Sequence, residues 1–163
     1  MRPPSVAPRF ALALALLLPA VGYLHAQQPP DSIKYKVTPT IDSAAPGGIY
    51  VPKDLEDAFR ELDHMLSPAF VAEFRGDSAA PIKNHFGLGL WMRNNWGLWA
   101  GSRLSNYFNC LGIFHPDDMS GVILDSYWLE LNHRPINLQG QIAKYHAFWL
   151  KQGTESSRLK PRC

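Results

Sequence analysis

The residues best suited to chemistry lie close together in the segment His115-Pro116-Asp117-Asp118. Proline followed by two acids in a first helical turn is what helix geometry and the helix dipole favour, so capping accounts for much of this pattern. Two adjacent carboxylates beside a histidine nevertheless exceed what capping requires. Asp117 or Asp118 could act with His115 or His85 as acid and base in a hydrolytic site.

A second unusual segment is 85–102, HFGLGLWMRNNWGLWAGS, which holds three of the five tryptophans. On a helix its large apolar side chains would cover one broad face. Two interpretations remain open. One is an aromatic core; the other is an aromatic-lined cleft in which an arginine holds an anionic or sugar ligand. The candidate binding residues for a ligand or partner are Trp91, Arg93, Asn94, Asn95, Trp96 and Trp99.

The same helical placement aligns Gly89, Arg93 and Gly97 on another face, four residues apart. Because a glycine in a helix interior costs about 1 kcal/mol relative to alanine, we expect another backbone to approach closely here. An arginine between the two glycines would be partly buried and would need a carboxylate partner. We predict an internal staple between Arg93 and Asp118, with Asp117 as the next choice.

We expect no cofactor, and a metal site built from His85, His115 and an aspartate is an alternative without a local ligand motif. No cysteine–histidine spacing is typical of zinc, and no G-x-S-x-G elbow or phosphate-binding loop occurs. The two cysteines are Cys110, in the apolar stretch YFNCLGIF, and Cys163, at the end of a polar tail. A buried free thiol and a disulfide are both compatible with these positions, so their pairing stays open.

The amino-terminal residues are typical of a cleavable signal peptide. Arg2 and Arg9 precede an apolar run, FALALALLL, which small residues follow. We predict a signal peptide over residues 1–26, cleaved after Gly22 or Ala26, and therefore a product that is exported to the periplasm or secreted. The run is shorter than the roughly 20 residues of a membrane span, so the mature protein is not expected to be membrane-embedded.

The charge balance argues against a nucleic-acid partner. The whole chain has 16 basic and 14 acidic residues. Loss of Arg2 and Arg9 with the signal peptide would leave 14 of each, and no basic stripe crosses the predicted domain. We therefore expect the partner to be an unknown protein, peptide or glycan of the cell envelope.

The elements that must position these residues are helical. Residues 27–48 are rich in proline, glycine and small polar residues and are predicted to be a flexible linker. Residues 49–152 show a helical apolar period, as in Leu55, Phe59, Leu62 and Leu66, and residues 153–163 are predicted to be a disordered basic tail. The expected fold is a single compact all-α domain of five or six short helices. Its third helix would run from Pro81 to Trp96 or Trp99, with a break near Gly87.

Three long segments of the chain resemble a bacterial family of domains, domain of unknown function six-seven-nine-four. They are YVPKDLEDAFRELDHML at 50–66, HFGLGLWMRNNWGLWAGSRL at 85–104 and GIFHPDDMSGVILDSYWLELN at 112–132, and QIAKYHAFWL at 141–150 is also similar. The resemblance implies a compact helical domain and carries over no catalytic residues. His133-Arg134 departs from the glycine-containing turn expected there.

Three functional hypotheses follow. The first is an exported, non-enzymatic binding or interaction domain with an aromatic-rich groove near Trp91, Trp96 and Trp99. The second is a small cell-envelope hydrolase that uses Asp117 or Asp118 with His115. The third is an inhibitor that neutralises a toxin or enzyme outside the cytoplasm. The lack of a recognisable nucleophile or metal motif favours the first.

Overall fold

The computed structural model describes residues 48–163, and within this range it contains seven α-helices and no strand. The helices are α1 (Leu55–Met65), α2 (Pro68–Gly76), α3 (Ala80–Lys83), α4 (Leu90–Asn95), α5 (Arg103–Cys110), α6 (Pro116–Leu131) and α7 (Leu138–Lys151). The predicted signal peptide, residues 1–26, and all of the predicted linker except Gly48 lie outside the described residues.

The predicted all-α class is confirmed for the described residues, and the count of helices differs for a local reason. A π-helical turn at His85–Gly89 joins α3 to α4. The predicted third helix is thus one helical run from Ala80 to Asn95 that changes its hydrogen-bonding pattern at its centre. Such π turns inside helical runs are found frequently at functional sites.

Helix α6 is the centre of the fold, since it contacts each of the other six α-helices. Its successive residues Val122, Ile123 and Leu124 are all fully buried. A helix that is apolar on every side must be surrounded by other helices. The amino-terminal turn of α6 carries the acidic residues Asp117 and Asp118, so the central helix also positions the candidate site.

Polar side chains cap five of the seven described helices at their amino termini. Ser67 and Ser102 accept hydrogen bonds from the backbone N–H groups three residues later and cap α2 and α5. His115 caps α6 by accepting the N–H of Asp117 on Nδ1 at 3.2 Å. These caps satisfy N–H groups that have no partner inside the helix.

The predicted role of Gly97 is wrong. The helix α4 ends at Asn95, and Gly97 follows it with a φ of +62°, in the left-handed region that favours glycine. Leu98 donates its backbone N–H to the carbonyl of Arg93, which is the Schellman arrangement at a helix end. Gly97 therefore ends the helix instead of admitting another backbone. At Gly89 the near neighbours are side chains and not a second helix backbone, because a Cβ there would lie 3.2 Å from Nη1 of Arg93 and 3.3 Å from Cδ1 of Leu124 in α6.

Candidate functional site

A buried arginine holds the start of α6 against the π turn. The side chain of Arg93 is 3% exposed, and its Nε lies 2.9 Å from Oδ1 of Asp117. One of its terminal nitrogens donates to Oγ of Ser120 at 2.7 Å and to the carbonyl of His85 at 3.3 Å. The predicted staple therefore exists, with a different carboxylate. Asp118 does not pair with Arg93, because consecutive residues of a helix point about 100° apart and only Asp117 faces α4.

Two histidines flank the carboxylate of Asp117. Nε2 of His85 lies 3.7 Å from Oδ1 of Asp117, and Nδ1 of His115 lies 3.6 Å from Oδ2. Nδ1 of His115 also accepts the backbone N–H of Asp117, which requires its lone pair and favours the tautomer protonated on Nε2. The structure thus brings together four residues, His85, Arg93, His115 and Asp117, which we call the Asp117 cluster.

Asp118 faces away from this cluster, toward α7. Its Oδ2 accepts a hydrogen bond of 2.6 Å from Nε1 of Trp149. Burial raises the pKa of Asp118 above its ordinary value, and the hydrogen bond from Trp149 opposes that rise without cancelling it. A carboxyl group in such surroundings keeps its proton to a higher pH than an exposed aspartate does.

An open cavity of about 550 Å³ lies beside Asp118, between α6, α7 and the end of the chain. We call it the α6–α7 pocket. Its volume is within the range of small-molecule sites in proteins. Its lining combines aromatic rings, two imidazoles, one carboxyl group and two guanidinium groups: Phe114, His115, Asp118, Tyr145, His146, Trp149, Arg158 and Arg162, among others.

The aromatic and histidine side chains of the pocket are held in defined positions. The ring of His115 lies between those of Trp99 and Trp149, with centroid distances of 5.9 and 5.6 Å. His146 donates from Nε2 to the carbonyl of Gly112 at 2.9 Å. Burial raises the pKa of Tyr145, so its hydroxyl stays protonated at neutral pH. The pocket therefore offers rings in largely fixed positions to a ligand.

The end of the chain forms one side of this pocket. Residues 153–163, which the sequence predicts to be disordered, contain a 3-10 turn at Ser156–Leu159. Leu159 is buried, and the guanidinium of Arg162 lies 4.8 Å from the ring centroid of Phe114. The sequence pattern conceals this packing because a single buried leucine in a polar stretch gives no periodicity. We call residues 153–163 the C-terminal segment.

The predicted aromatic groove is not assembled as expected. Trp96 is fully buried in the core, and Trp91 is half-buried with its ring edge-on to Trp96 at 5.9 Å. Trp99 is 58% exposed and contacts His115 instead. The three tryptophans separate because the helix ends at Asn95, before Trp96 and Trp99. The two asparagines also divide: Asn94 is exposed, and Asn95 donates its side-chain amide to the carbonyl of Trp91.

Several pocket residues were missed by sequence reasoning. Tyr145 and Trp149 have the helical spacing of core residues and are most simply predicted to be core. His146, Arg158 and Arg162 lie in segments that suggest solvated surface. The one signal in the sequence was the adjacent pair of carboxylates, since Arg93 could take one of them and leave the other for a different partner.

Two negative findings apply to residues 48–163. No group of three or more histidine, cysteine, aspartate or glutamate side chains in this range is arranged to hold a metal ion. None of the helices described is both long and apolar enough to span a membrane.

Fold and site together define a small all-α domain with a buried staple at the start of its central helix and an open pocket beside it. Residues 51–131 match the model of the family described as Domain of unknown function (DUF6794). These residues form a domain of that family, as the resemblance of the three long segments implies. No curated protein and no solved structure matches the chain. The matched range ends before α7, so three of the ring side chains in the pocket come from residues outside it.

Proposed function

We propose that this domain is a non-enzymatic binding module that takes a small anionic molecule with a ring-shaped body into the α6–α7 pocket. The observation that carries the proposal is the combination of groups around one cavity. The buried carboxyl group of Asp118 lies on its inner side, and the exposed guanidinium groups of Arg158 and Arg162 lie at its edge.

The chemistry of the ligand follows from this lining. A carboxylate or phosphate group suits the two arginines, which form strong charge-assisted hydrogen bonds to such anions. A flat or ring-shaped body suits Trp149, Tyr145 and the ring of His115. Asp118 uses Oδ2 for Trp149, and no described residue donates to its Oδ1. A hydroxyl or amine group of the ligand could therefore donate to Oδ1.

A comparison of closely related probes tests the proposal. N-acetylmuramic acid and N-acetylglucosamine share a sugar ring and differ in a lactyl carboxylate, and indole-3-acetate supplies the same charge on an aromatic body. Titration is followed by NMR on the indole N–H of Trp149. We expect N-acetylmuramic acid or indole-3-acetate to shift this signal in a saturable way. N-acetylglucosamine should bind at least about tenfold more weakly, because it has no carboxylate to pair with the arginines. Equal binding of both sugars, or no saturable shift with any probe, would overturn the proposal.

Variants at the edge of the pocket provide the second arm of the test. Arg158→Gln and Arg162→Gln are exposed substitutions and should weaken the carboxylate probe about tenfold while leaving the fold intact. Arg134→Gln is the matched control, because the Arg134 guanidinium also lies over a ring, that of Trp128, at 5.3 Å and away from the pocket. Equal losses of affinity in all three variants would contradict a specific role for the pocket arginines.

A hydrolase is the second candidate, and one observation favours it. Asp118, whose pKa is raised, lines the same cavity as His115, so a carboxyl group and an imidazole could face one substrate. Asp117 and His85 lie in the adjoining Asp117 cluster. The carboxylate of Asp117 is already paired with Arg93, so Asp117 is the weaker candidate for the acid or base. Incubation of the protein with cell-wall fragments and mass spectrometry of the products separates the candidates. Turnover that Asp118→Asn abolishes would replace binding by hydrolysis as the function.

Action outside the cytoplasm is part of the proposal and rests on the pattern of residues 1–26. Export would bring the pocket into contact with envelope glycans and peptides, which include carboxylate-bearing sugars. Amino-terminal sequencing of the protein recovered outside the cytoplasm tests this step. A new terminus directly after Gly22 or Ala26 is expected, and a protein that keeps Met1 and stays in the cytoplasm would contradict it.

A further inference from the structure

The two cysteines of the chain lie side by side where its last residue meets the end of α5. The thiol of Cys110 approaches the carbonyl of Arg162 at 3.7 Å, and the thiol of Cys163 approaches the carbonyl of Cys110 at 4.0 Å. The backbone N–H of Arg162 donates to the carbonyl of Asn109 at 2.9 Å. This backbone hydrogen bond places the two cysteines opposite each other.

Independent contacts hold the C-terminal segment in this position. The side chain of Leu159 is only 8% exposed, and the guanidinium of Arg162 lies over the ring of Phe114. Gly112, with a φ of +84°, leaves room for the segment, because a Cβ there would lie 2.7 Å from the carbonyl oxygen of Leu159. The approach of the cysteines is thus part of a packed arrangement of the chain end.

Both thiols are available for a disulfide. Cys110 and Cys163 are free cysteines; Cys110 is half-buried and Cys163 is exposed. The pKa of the Cys110 thiol is raised, mainly because it shares a hydrogen bond with the thiol of Cys163. The exposed position of Cys163 leaves it open to a disulfide reagent from solution.

We propose that Cys110 and Cys163 form an intrachain disulfide that fixes the C-terminal segment as one side of the α6–α7 pocket. The oxidant is a small-molecule or protein disulfide. The thiolate of Cys163 attacks one sulfur of the oxidant and releases its other half as a thiol. The thiolate of Cys110 then attacks the sulfur of Cys163 and releases the second half as a thiol. Two protein thiols lose two electrons and two protons, and one oxidant disulfide becomes two thiols.

The bond would matter to the pocket because of what the C-terminal segment carries. Arg158, Leu159 and Arg162 all lie between the end of α7 and Cys163, and all three line the cavity. Without the disulfide, α7 is the only covalent attachment of this segment among the described residues. With it, the segment is fixed at both ends. The disulfide itself does not depend on the proposed ligand, so the two proposals can fail separately.

Peptide mapping of the full chain tests the bond. The protein is incubated with oxidised glutathione, its remaining thiols are alkylated, and its peptides are identified by mass spectrometry. We expect the mass of the protein to fall by that of two hydrogen atoms. We also expect a disulfide-linked pair of peptides, one with Cys110 and the other with Cys163. Cys163→Ser is the control and should show neither. Glutathione retained on each cysteine, two alkylated thiols or disulfide-linked dimers would overturn the proposal.

Two further measurements test the role of the bond. Reduction should lower the melting temperature of the oxidised wild type by about 5–10 °C, since a disulfide of this loop size restricts the unfolded chain, and should not change Cys163→Ser. Reduction should also speed tryptic cleavage after Arg158 about tenfold as the segment opens more often. Equal cleavage rates in the oxidised and reduced proteins would show that the disulfide does not hold the C-terminal segment in place.

A substitution remote from sulfur chemistry tests the geometry. Gly112→Ala keeps both cysteines but places a methyl group against the carbonyl of Leu159. We expect intrachain disulfide formation to slow about tenfold in this variant, because closing the bond then requires the segment to shift. Circular dichroism verifies that the helices are retained. Unchanged kinetics in a folded Gly112→Ala protein would show that the observed packing does not bring the cysteines together.

Discussion

Trp149 donates from Nε1 to Oδ2 of Asp118 at 2.6 Å, which links the last helix to the first turn of the central one. The two residues lie on opposite sides of the boundary of the matched family, whose range ends at residue 131. The hydrogen bond joins the part of the domain that the family model matches to the aromatic lining of the pocket. Burial raises the pKa of Asp118, and this hydrogen bond opposes part of that rise.

Asp118→Asn is expected to stabilise the protein at neutral pH. A raised folded-state pKa means that the stabilising contribution of Asp118 is complete below its unfolded-state pKa of about 3.9 and is lost as the pH rises through the folded-state value. Asparagine cannot ionise and can still accept the Trp149 hydrogen bond on its amide oxygen. The free energy of unfolding, measured in urea at pH 7.5, should rise by about 1 kcal/mol, the scale of a single buried polar group.

The neighbouring residue supplies the control for this prediction. Asp117→Asn should destabilise the protein at pH 7.5, because it removes the partner of buried Arg93. The advantage of Asp118→Asn should also shrink as the pH falls toward 3.5, where wild-type Asp118 is protonated. If Asp118→Asn is less stable than wild type at pH 7.5, and by an amount that does not change with pH, the pKa of Asp118 is not raised in the folded protein.

Arg93→Met is expected to lower the free energy of unfolding by about 1–3 kcal/mol. Removing one partner of a buried ion pair typically costs about 3–5 kcal/mol, and the smaller figure reflects Asp117, whose side chain is 41% exposed and stays hydrated. The substitution also leaves the carbonyl of His85 without its donor. Urea titration of wild type and variant measures the loss.

A double-mutant cycle isolates the pair from the other contacts of Arg93. We expect a coupling of about 0.5–3 kcal/mol between Arg93→Met and Asp117→Asn. Lys83→Met breaks an exposed ion pair with Asp77 and should leave the stability almost unchanged. If Arg93→Met leaves stability unchanged, or if the cycle shows no coupling, the staple makes no contribution to the fold.

The helices of the domain could be predicted from the sequence because their signals are local. Ser67, Ser102 and the proline at 116 mark the helix starts that the structure has, and the stripe of Leu55, Phe59 and Leu62 faces the core. The need of Arg93 for a carboxylate was also predictable, since burial of an unpaired charge is too costly. Each of these inferences needs only the sequence of one helix or the charge of one side chain, and none requires knowledge of how the helices pack together.

The pocket could not be predicted because it depends on long-range packing. The sequence spacing of Trp149 fits a core residue as well as a pocket residue, and only the placement of the C-terminal segment opens a cavity beside it. The choice between Asp117 and Asp118 depends on the rotation of α6 about its axis. That rotation is set by the burial of all sides of α6, which leaves no apolar period to indicate a direction.

Two helix ends with the same geometry and different residues yield opposite predictions. Gly97 and His133 each follow a helix with positive φ, +62° and +52°, and at each end a Schellman hydrogen bond closes onto the helix. Left-handed backbone costs a residue with a Cβ about 1–2 kcal/mol. Gly97→Ala should therefore destabilise the protein by about 1–2 kcal/mol, and more if Ser102, 3.2 Å from the added Cβ, cannot yield.

His133→Gly should have the opposite effect and stabilise the protein by up to about 1 kcal/mol, because glycine relieves the backbone cost while adding some freedom to the unfolded chain. His133 is exposed, so the substitution removes little packing. Thermal and urea unfolding of the two variants beside wild type measure the effects. A gain in stability for Gly97→Ala, or a loss above about 1 kcal/mol for His133→Gly, would mean that these positions are held by side-chain contacts and not by their backbone conformation.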